Sequence, residues 1–96
     1  MTILQIEHPI YDFDTWKATF DSDPTKRKES GMRGYRILRP ADDPKYVIVD
    51  CEFDSTREAE AFLAKMREAW RRVVGKIIDS PQARMSVVSE ARQYVP

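Results

Sequence analysis

The chain has 96 residues, of which 42% are hydrophobic and 33% are charged. This size indicates one small domain spanning residues 1–96 and excludes a two-domain enzyme. Sixteen Lys and Arg residues balance 16 Asp and Glu residues, which argues against a nucleic-acid partner, because such a partner is held mainly by a uniform positive field. A chain this short buries only about 60–65% of the surface that its unfolded form exposes, so we expect self-association to stabilise it.

The sequence also indicates a cellular compartment. Cys51 is the only cysteine, so no internal disulfide can form, and the first residues lack the basic start and apolar run of a signal peptide. The longest apolar stretch, residues 46–49, is far shorter than the roughly 20 residues that a membrane span needs. We therefore predict a cytoplasmic protein with no membrane partner.

The N-terminal third of the chain predicts a strand followed by a helix. Residues 2–8 form a β-rich run that ends at Pro9. Asp12 and Asp14 then offer a helix N-cap, and apolar residues recur at helical spacing until Pro24 ends the helix. These apolar residues are Phe13, Trp16 and Phe20. A short polar turn follows, which Gly31 can close in the left-handed conformation.

The rest of the chain predicts a hairpin, a long helix and a last strand. Residues 32–39 and 45–53 read as strands joined by a turn that contains two prolines. Ser55 and Glu58 form a capping box, and an apolar stripe from Ala59 to Ile77 predicts about five helical turns. Residues 83–89 alternate as a final strand.

The element order βαββαβ predicts a ferredoxin-like α+β fold. The right-handed crossover rule gives a four-stranded antiparallel sheet of order 4-1-3-2 with both helices on one face. Alternation along each strand then divides the sheet into two faces. The face expected beneath the helices carries Leu4, Ile6, His8, Tyr35, Ile37, Val47, Val49, Cys51, Phe53, Met85 and Val87. The other face carries Ile3, Gln5, Glu7, Arg36, Leu38, Tyr46, Ile48, Asp50, Glu52, Arg84, Ser86 and Val88.

The second face mixes large apolar residues with opposite charges. A solvated sheet is one interpretation, and an RNA-binding sheet of the same topology is another. Asp50 and Glu52 on that face would repel phosphate, which disfavours RNA. Because monomers avoid large exposed apolar patches, we favour a homodimer formed through this face.

Three segments of the chain resemble the dimeric α/β-barrel superfamily. They are the Asp12-Phe13-Asp14-Thr15-Trp16-Lys17 start of the first helix, residues 34–40 and residues 53–63. The chain is most similar to a branch of small uncharacterised bacterial proteins, related to antibiotic-biosynthesis-monooxygenase-like and cyclase-like proteins. The resemblance implies that two ferredoxin-like subunits pack their sheets into one barrel. It also implies a site for an aromatic or polycyclic substrate between the helices and the sheet of each subunit.

Two sets of residues are candidates for that site. The substrate-binding candidates are Trp16, Phe20, Phe62, Met66 and Trp70, with Tyr11 in the same predicted layer, although such side chains also serve as ordinary core. The catalytic candidates are His8, as a general acid or base, and Tyr35, which would orient the ligand. Glu7 or Arg36 could take the place of Tyr35, and the more ordinary interpretation of His8 is a partly buried structural histidine.

Other chemistries fit the sequence less well. One His and one Cys cannot form a transition-metal cluster, and no Gly-rich phosphate motif occurs, so we expect no metal or nucleotide cofactor. The resemblance implies, for oxygenase members, an early asparagine and a tryptophan that Trp70 could match, but the chain contains no Asn. Cys51 reads as a small buried hydrophobe. The basic residues read as a solvated face or, alternatively, as an anion site; they are residues 26–28, Arg67, Arg71, Arg72 and Lys76.

The sequence therefore predicts a homodimer that binds or converts a small aromatic or polyketide-like metabolite. If it is an enzyme, we expect proton-transfer chemistry such as isomerisation or cyclisation. The alternatives are a non-catalytic dimeric module and, less favoured, a cofactor-free monooxygenase.

Overall fold

The N-terminal strand lies at the centre of a four-stranded antiparallel sheet in a computed structural model that describes residues 1–96. The strands are β1 (Thr2–Pro9), β2 (Gly34–Leu38), β3 (Tyr46–Phe53) and β4 (Gln82–Val87), and the helices are α1 (Phe13–Asp21) and α2 (Thr56–Val73). The sheet order β2-β3-β1-β4 is the predicted order read from the opposite edge. The predicted ferredoxin-like fold is therefore confirmed.

Both helices begin where the sequence predicts. The Asp12 side chain accepts a hydrogen bond from the Thr15 backbone amide at 2.9 Å, which satisfies one of the unpaired donors of the first turn of α1. At the start of α2, Ser55 Oγ accepts from the Glu58 amide at 3.2 Å and donates to the Glu58 carboxylate at 3.2 Å. The capping residues thus fix both N-termini.

The second helix is shorter than predicted. It ends at Val73 rather than Ile77, because Val74 is extended and Gly75 has a φ of +84°. The chain then turns back, and Ile78 pairs with Ile10 just beyond the end of β1. This turn buries Ile78 completely against the sheet, which a continued helix would not do.

The face of the sheet beneath the helices forms the core. Its most deeply buried members are Leu4, Val47 and Phe53. Two residues predicted for this face are exposed instead, with 47% of Tyr35 and 69% of Val87 accessible. Both lie on the edge strands, β2 and β4, where the helices cover the sheet least.

The opposite face pairs its polar groups across neighbouring strands. Arg36, Asp50 and Gln5 stand in one row, and Asp50 accepts from Arg36 at 3.0 Å and from Gln5 at 2.9 Å. The Tyr46 hydroxyl donates to Glu7 at 2.7 Å. Asp50 and Glu7 therefore each have a partner within this face of the sheet.

The two helices differ in their distance from the sheet. α2 lies close to β1, β3 and β4, and its residue Ala59 is fully buried against the sheet. No Cα atom of α1 lies within 8 Å of a Cα atom of α2 or of any strand. α1 therefore reaches the sheet only through long side chains, of which Trp16 is the buried one.

Neither helix is long and apolar enough to cross a membrane.

Candidate functional site: a cavity between the helices and the sheet

A cavity of about 240 Å³ lies between α1, α2 and the sheet, and 13 of its 20 lining residues are hydrophobic. It occupies the space that the separation of the two helices leaves. All the predicted substrate-binding residues line it together with one of the two predicted catalytic residues. These residues are His8, Trp16, Phe20, Phe62, Met66 and Trp70.

The α1 wall of the cavity is a run of stacked rings. Trp16 and Phe20 are four residues apart and therefore project from the same side of the helix. Their ring centroids are 5.2 Å apart, and the His8 ring meets Trp16 edge-on with centroids 6.1 Å apart. The i, i+4 spacing that marked these residues in the sequence also aligns them in the wall.

The α2 wall continues the apolar stripe of that helix. Phe62, Met66 and Trp70 line the cavity together with Ala69 and Val73. Ala69 was not among the predicted site residues, although it lies three residues after Met66 on the same face. Its small side chain leaves room where a larger residue would fill the space.

His8 is the one titratable group inside the cavity that can exchange a proton near neutral pH. The ring is buried, and burial lowers the pKa of His8 below its ordinary value of 6.5. Its Nδ1 atom contacts the Pro9 carbonyl oxygen at 3.2 Å. Because a carbonyl only accepts, this contact places the proton of the neutral ring on Nδ1. Nε2 has no hydrogen-bond partner in the protein and is available as an acceptor.

Tyr35 does not lie in the cavity, so the expected pairing of His8 with Tyr35 is wrong. Along β3, Tyr35 stands opposite Cys51, whereas His8 stands opposite Val47. Four residues of strand separate these positions by roughly 13 Å. Tyr35 packs instead on the outer side of Phe20, with ring centroids 5.0 Å apart.

The other proposed partners and the remaining aromatic residue also lie elsewhere. Glu7 and Arg36 are on the opposite face of the sheet, where they bond to Tyr46 and Asp50. Tyr11 is 47% exposed, and a hydrogen bond to Asp79 raises its pKa. Its expected place in the layer between helices and sheet was therefore wrong, because the chain leaves the sheet at Ile10.

Cys51 lines the cavity but offers no nucleophile. Its side chain is buried, and burial raises the pKa of the thiol to about 12. Since the thiolate is the reactive form, the sulfur stays protonated and inert at neutral pH. This placement agrees with the prediction of a small buried hydrophobe.

Two arginines complete the lining of the cavity. The Arg27 guanidinium lies 3.9 Å from the centroid of the Phe20 ring, donates to the Phe20 carbonyl at 2.7 Å and lies 3.4 Å from Asp23. Arg72, in the last turn of α2, is exposed and has no ion-pair partner. No Asp or Glu lines the cavity, and nowhere in the structure do three His, Cys, Asp or Glu side chains group to hold a metal ion.

Comparison with known proteins supports the fold. No protein-family model matches the sequence, and no curated protein matches it. Among solved structures, a protein of unknown function from Nitrosomonas europaea is 16% identical with a TM-score of 0.74, over 99% of this chain and 95% of that one. A variant of SnoaB, a cofactor-independent oxygenase from Streptomyces nogalater, is 9% identical with a TM-score of 0.71, over 94% of each chain.

A third similar structure is a dimeric ferredoxin-like protein from an uncultured marine organism. It is 8% identical with a TM-score of 0.66, over 98% of this chain and all of that one. Likeness at these identities establishes the architecture and leaves the chemistry open. The chain thus has a ferredoxin-like fold.

Proposed function

We propose that this protein binds a small aromatic metabolite in the cavity between its helices and its sheet. The observation that carries the proposal is the volume of about 240 Å³ left open among aromatic and aliphatic side chains. An apolar cavity of about 150 Å³ is enough to bind benzene, and drug-sized ligands take about 300 Å³ or more. The volume therefore favours a ligand of one or two fused rings over a larger polyketide.

His8 supports a proton-transfer reaction on that ligand. The neutral ring with a free Nε2 can remove a proton from a carbon next to a carbonyl group, and the C–H electron pair then forms an enolate. Return of the proton from Nε2 to another atom of the enolate completes an isomerisation. These two proton transfers consume no oxidant and leave the histidine unchanged.

Deuterium exchange into 2-tetralone, a two-ring ketone with acidic C–H groups, tests this step. We expect the protein in D2O to accelerate exchange at the carbon between the ring and the carbonyl, as followed by proton NMR. His8→Gln should remove the acceleration while 2-tetralone still binds. Equal exchange rates with the two proteins would contradict a role for His8.

A non-catalytic binding protein is the second candidate. It is favoured by the lack of an acidic side chain in the cavity lining, since proton-transfer sites often pair two titratable groups. Saturable binding of 2-tetralone without accelerated exchange would support this candidate. The names of the oxygenase neighbours raise a third possibility, but the chain contains no asparagine to match the residue that the resemblance implies.

The open face of the sheet supports a homodimer. Asp50 is paired with Arg36 and Glu7 with the Tyr46 hydroxyl within one chain, while Ile3, Ile48 and Leu38 remain partly accessible. A second copy would cover these apolar residues without leaving Asp50 or Glu7 unpartnered. Light scattering coupled to gel filtration should therefore give twice the 11.2 kDa of one chain.

A charge on the open face should separate the two subunits. Ile48→Asp would bury an unpaired carboxylate in the proposed interface, so we expect a monomer. Ala61→Asp is the matched control, because Ala61 is exposed on α2, and this variant should stay dimeric. A native protein that runs as a monomer at micromolar concentration would overturn the dimer.

A further inference from the structure

We propose that the ligand of the cavity is an aromatic carboxylate that also carries a phenol or enol hydroxyl group. This inference rests on the proposed binding function and specifies its substrate class. The carboxylate would pair with Arg72, and the hydroxyl would donate to His8. The evidence is the charge and the hydrogen-bonding capacity of the cavity lining.

The ionic side chains of the lining all have one sign. Arg27 and Arg72 line the cavity, and no Asp or Glu does, although the whole chain has equal numbers of acidic and basic residues. A lining with cations and no acid attracts an anionic ligand and disfavours a cationic one. The local imbalance is therefore a property of the cavity and not of the composition.

Arg72 is the arginine that remains available to a ligand. Arg27 is engaged by the Phe20 carbonyl and by Asp23, and its guanidinium is stacked on the Phe20 ring. The neighbouring Arg71 lies 3.3 Å from Glu68 and outside the cavity lining. Arg72 has no such partner, so its guanidinium can form the two parallel hydrogen bonds that bind a carboxylate.

His8 defines the second polar contact. Its Nδ1 faces the Pro9 carbonyl oxygen, so the free Nε2 of the neutral ring accepts a hydrogen bond and donates none. The ligand atom that meets it must therefore be a donor, and a phenol or enol hydroxyl fits an aromatic ligand. The rest of the lining is mainly apolar and would contact the rings.

Calorimetric titration of three two-ring probes tests the assignment. We expect 6-hydroxy-2-naphthoate to bind about tenfold more tightly than 6-hydroxy-2-naphthamide, which lacks the charge, and several-fold more tightly than 2-naphthoate, which lacks the hydroxyl. The advantage of the carboxylate should decrease with added salt, because Arg72 is exposed.

Two matched variants locate the charge effect. In Arg72→Met the carboxylate and the amide should bind with about equal affinity. In Arg71→Met the carboxylate should keep its roughly tenfold advantage. Equal affinities of native protein for carboxylate and amide would overturn the carboxylate assignment, as would a preference that survives in Arg72→Met. Failure of all three probes to bind would instead contradict the proposed binding function itself.

Discussion

The two helices lie over the same face of one sheet but meet it differently. α2 buries Ala59, Phe62, Leu63 and Trp70 and lies close to three strands. α1 buries only Trp16 and stands apart from the strands and from α2. The small Ala59 lets one helix approach, while stacked rings hold the other away.

This difference separates stability from binding within a small domain. The α2 side closes on Leu4, Val47 and Phe53, which are fully buried, and packs like an ordinary core. The α1 side leaves a cavity because its aromatic residues stack on one another and cover the sheet without filling the layer. Substitutions on the two sides should therefore have different effects.

The largest loss of stability is expected from substitutions on the closely packed α2 side. Phe53 is fully buried and its ring lies 5.5 Å from that of Phe62, so Phe53→Ala should lower the free energy of unfolding by about 3–5 kcal/mol. Phe20→Ala, at the cavity wall, should lower it by less than about 2 kcal/mol. Urea denaturation followed by circular dichroism measures both. Equal losses would contradict the proposed division of the core.

A smaller loss of stability is expected from a substitution where the segment after α1 meets α2. Gly31 has a φ of +92°, and a Cβ atom there would overlap the Glu58 carboxylate of the capping box. The carboxylate can move, but the backbone conformation cannot change freely, so Gly31→Ala should cost about 1–2 kcal/mol. Gly75→Ala tests the conformation alone, because nothing lies within 4 Å of its Cβ position. A neutral Gly31→Ala variant would refute the conformational requirement.

Filling the cavity should raise the free energy of unfolding instead of lowering it. Ala69 lines the cavity, and Ala69→Leu should place apolar carbons in the open space and raise the free energy of unfolding by about 1 kcal/mol. The same change should abolish binding of 6-hydroxy-2-naphthoate. Ala64→Leu, on the exposed side of α2, should alter neither property. Ligand binding that persists in Ala69→Leu would show that the ligand lies elsewhere.

The smallest effect concerns the pH dependence of stability. The folded-state pKa of His8 lies below 6.5 because the ring is buried, so the unfolded chain binds the proton more readily. This contribution to stability is present above pH 6.5 and is lost as the pH falls through the lowered folded-state pKa. Denaturation between pH 8 and pH 5 should show the loss, and His8→Gln should reduce it. Since His8 is the only histidine, an identical pH profile for the variant would contradict this origin.

The sequence predicted the features that depend on local patterns. Alternation identified the buried face of β1 and β3, and helical spacing identified Trp16, Phe20, Phe62, Met66 and Trp70 as one layer. The exposure of Tyr35 and Val87 was not predictable in this way, because it depends on how far the helices extend over the edge strands. The cavity depends on the distance between α1 and the rest of the fold, which periodicity does not encode.

The arginines illustrate the same limit. Arg72 looked like one of several basic residues on a solvated helix face, and its i, i+3 relation to Ala69 gave no signal, because Ala69 was not a predicted site residue either. Arg27 belongs to a polar turn, and its contact with Phe20 joins residues seven positions apart without helical continuity. Side chains that reach a site from turns and helix ends are the ones that sequence patterns miss.

The central position of β1 has a consequence for how the domain is made. Thr2 pairs with both Phe53 and Val87. One edge of β1 is therefore left unpaired until β4, which comes last in the chain, has been synthesised. Pairings between residues so distant in the chain slow folding, because a long loop must close first. The sheet is therefore completed only after β4 has left the ribosome, and until then one edge of β1 is open to pairing with other chains.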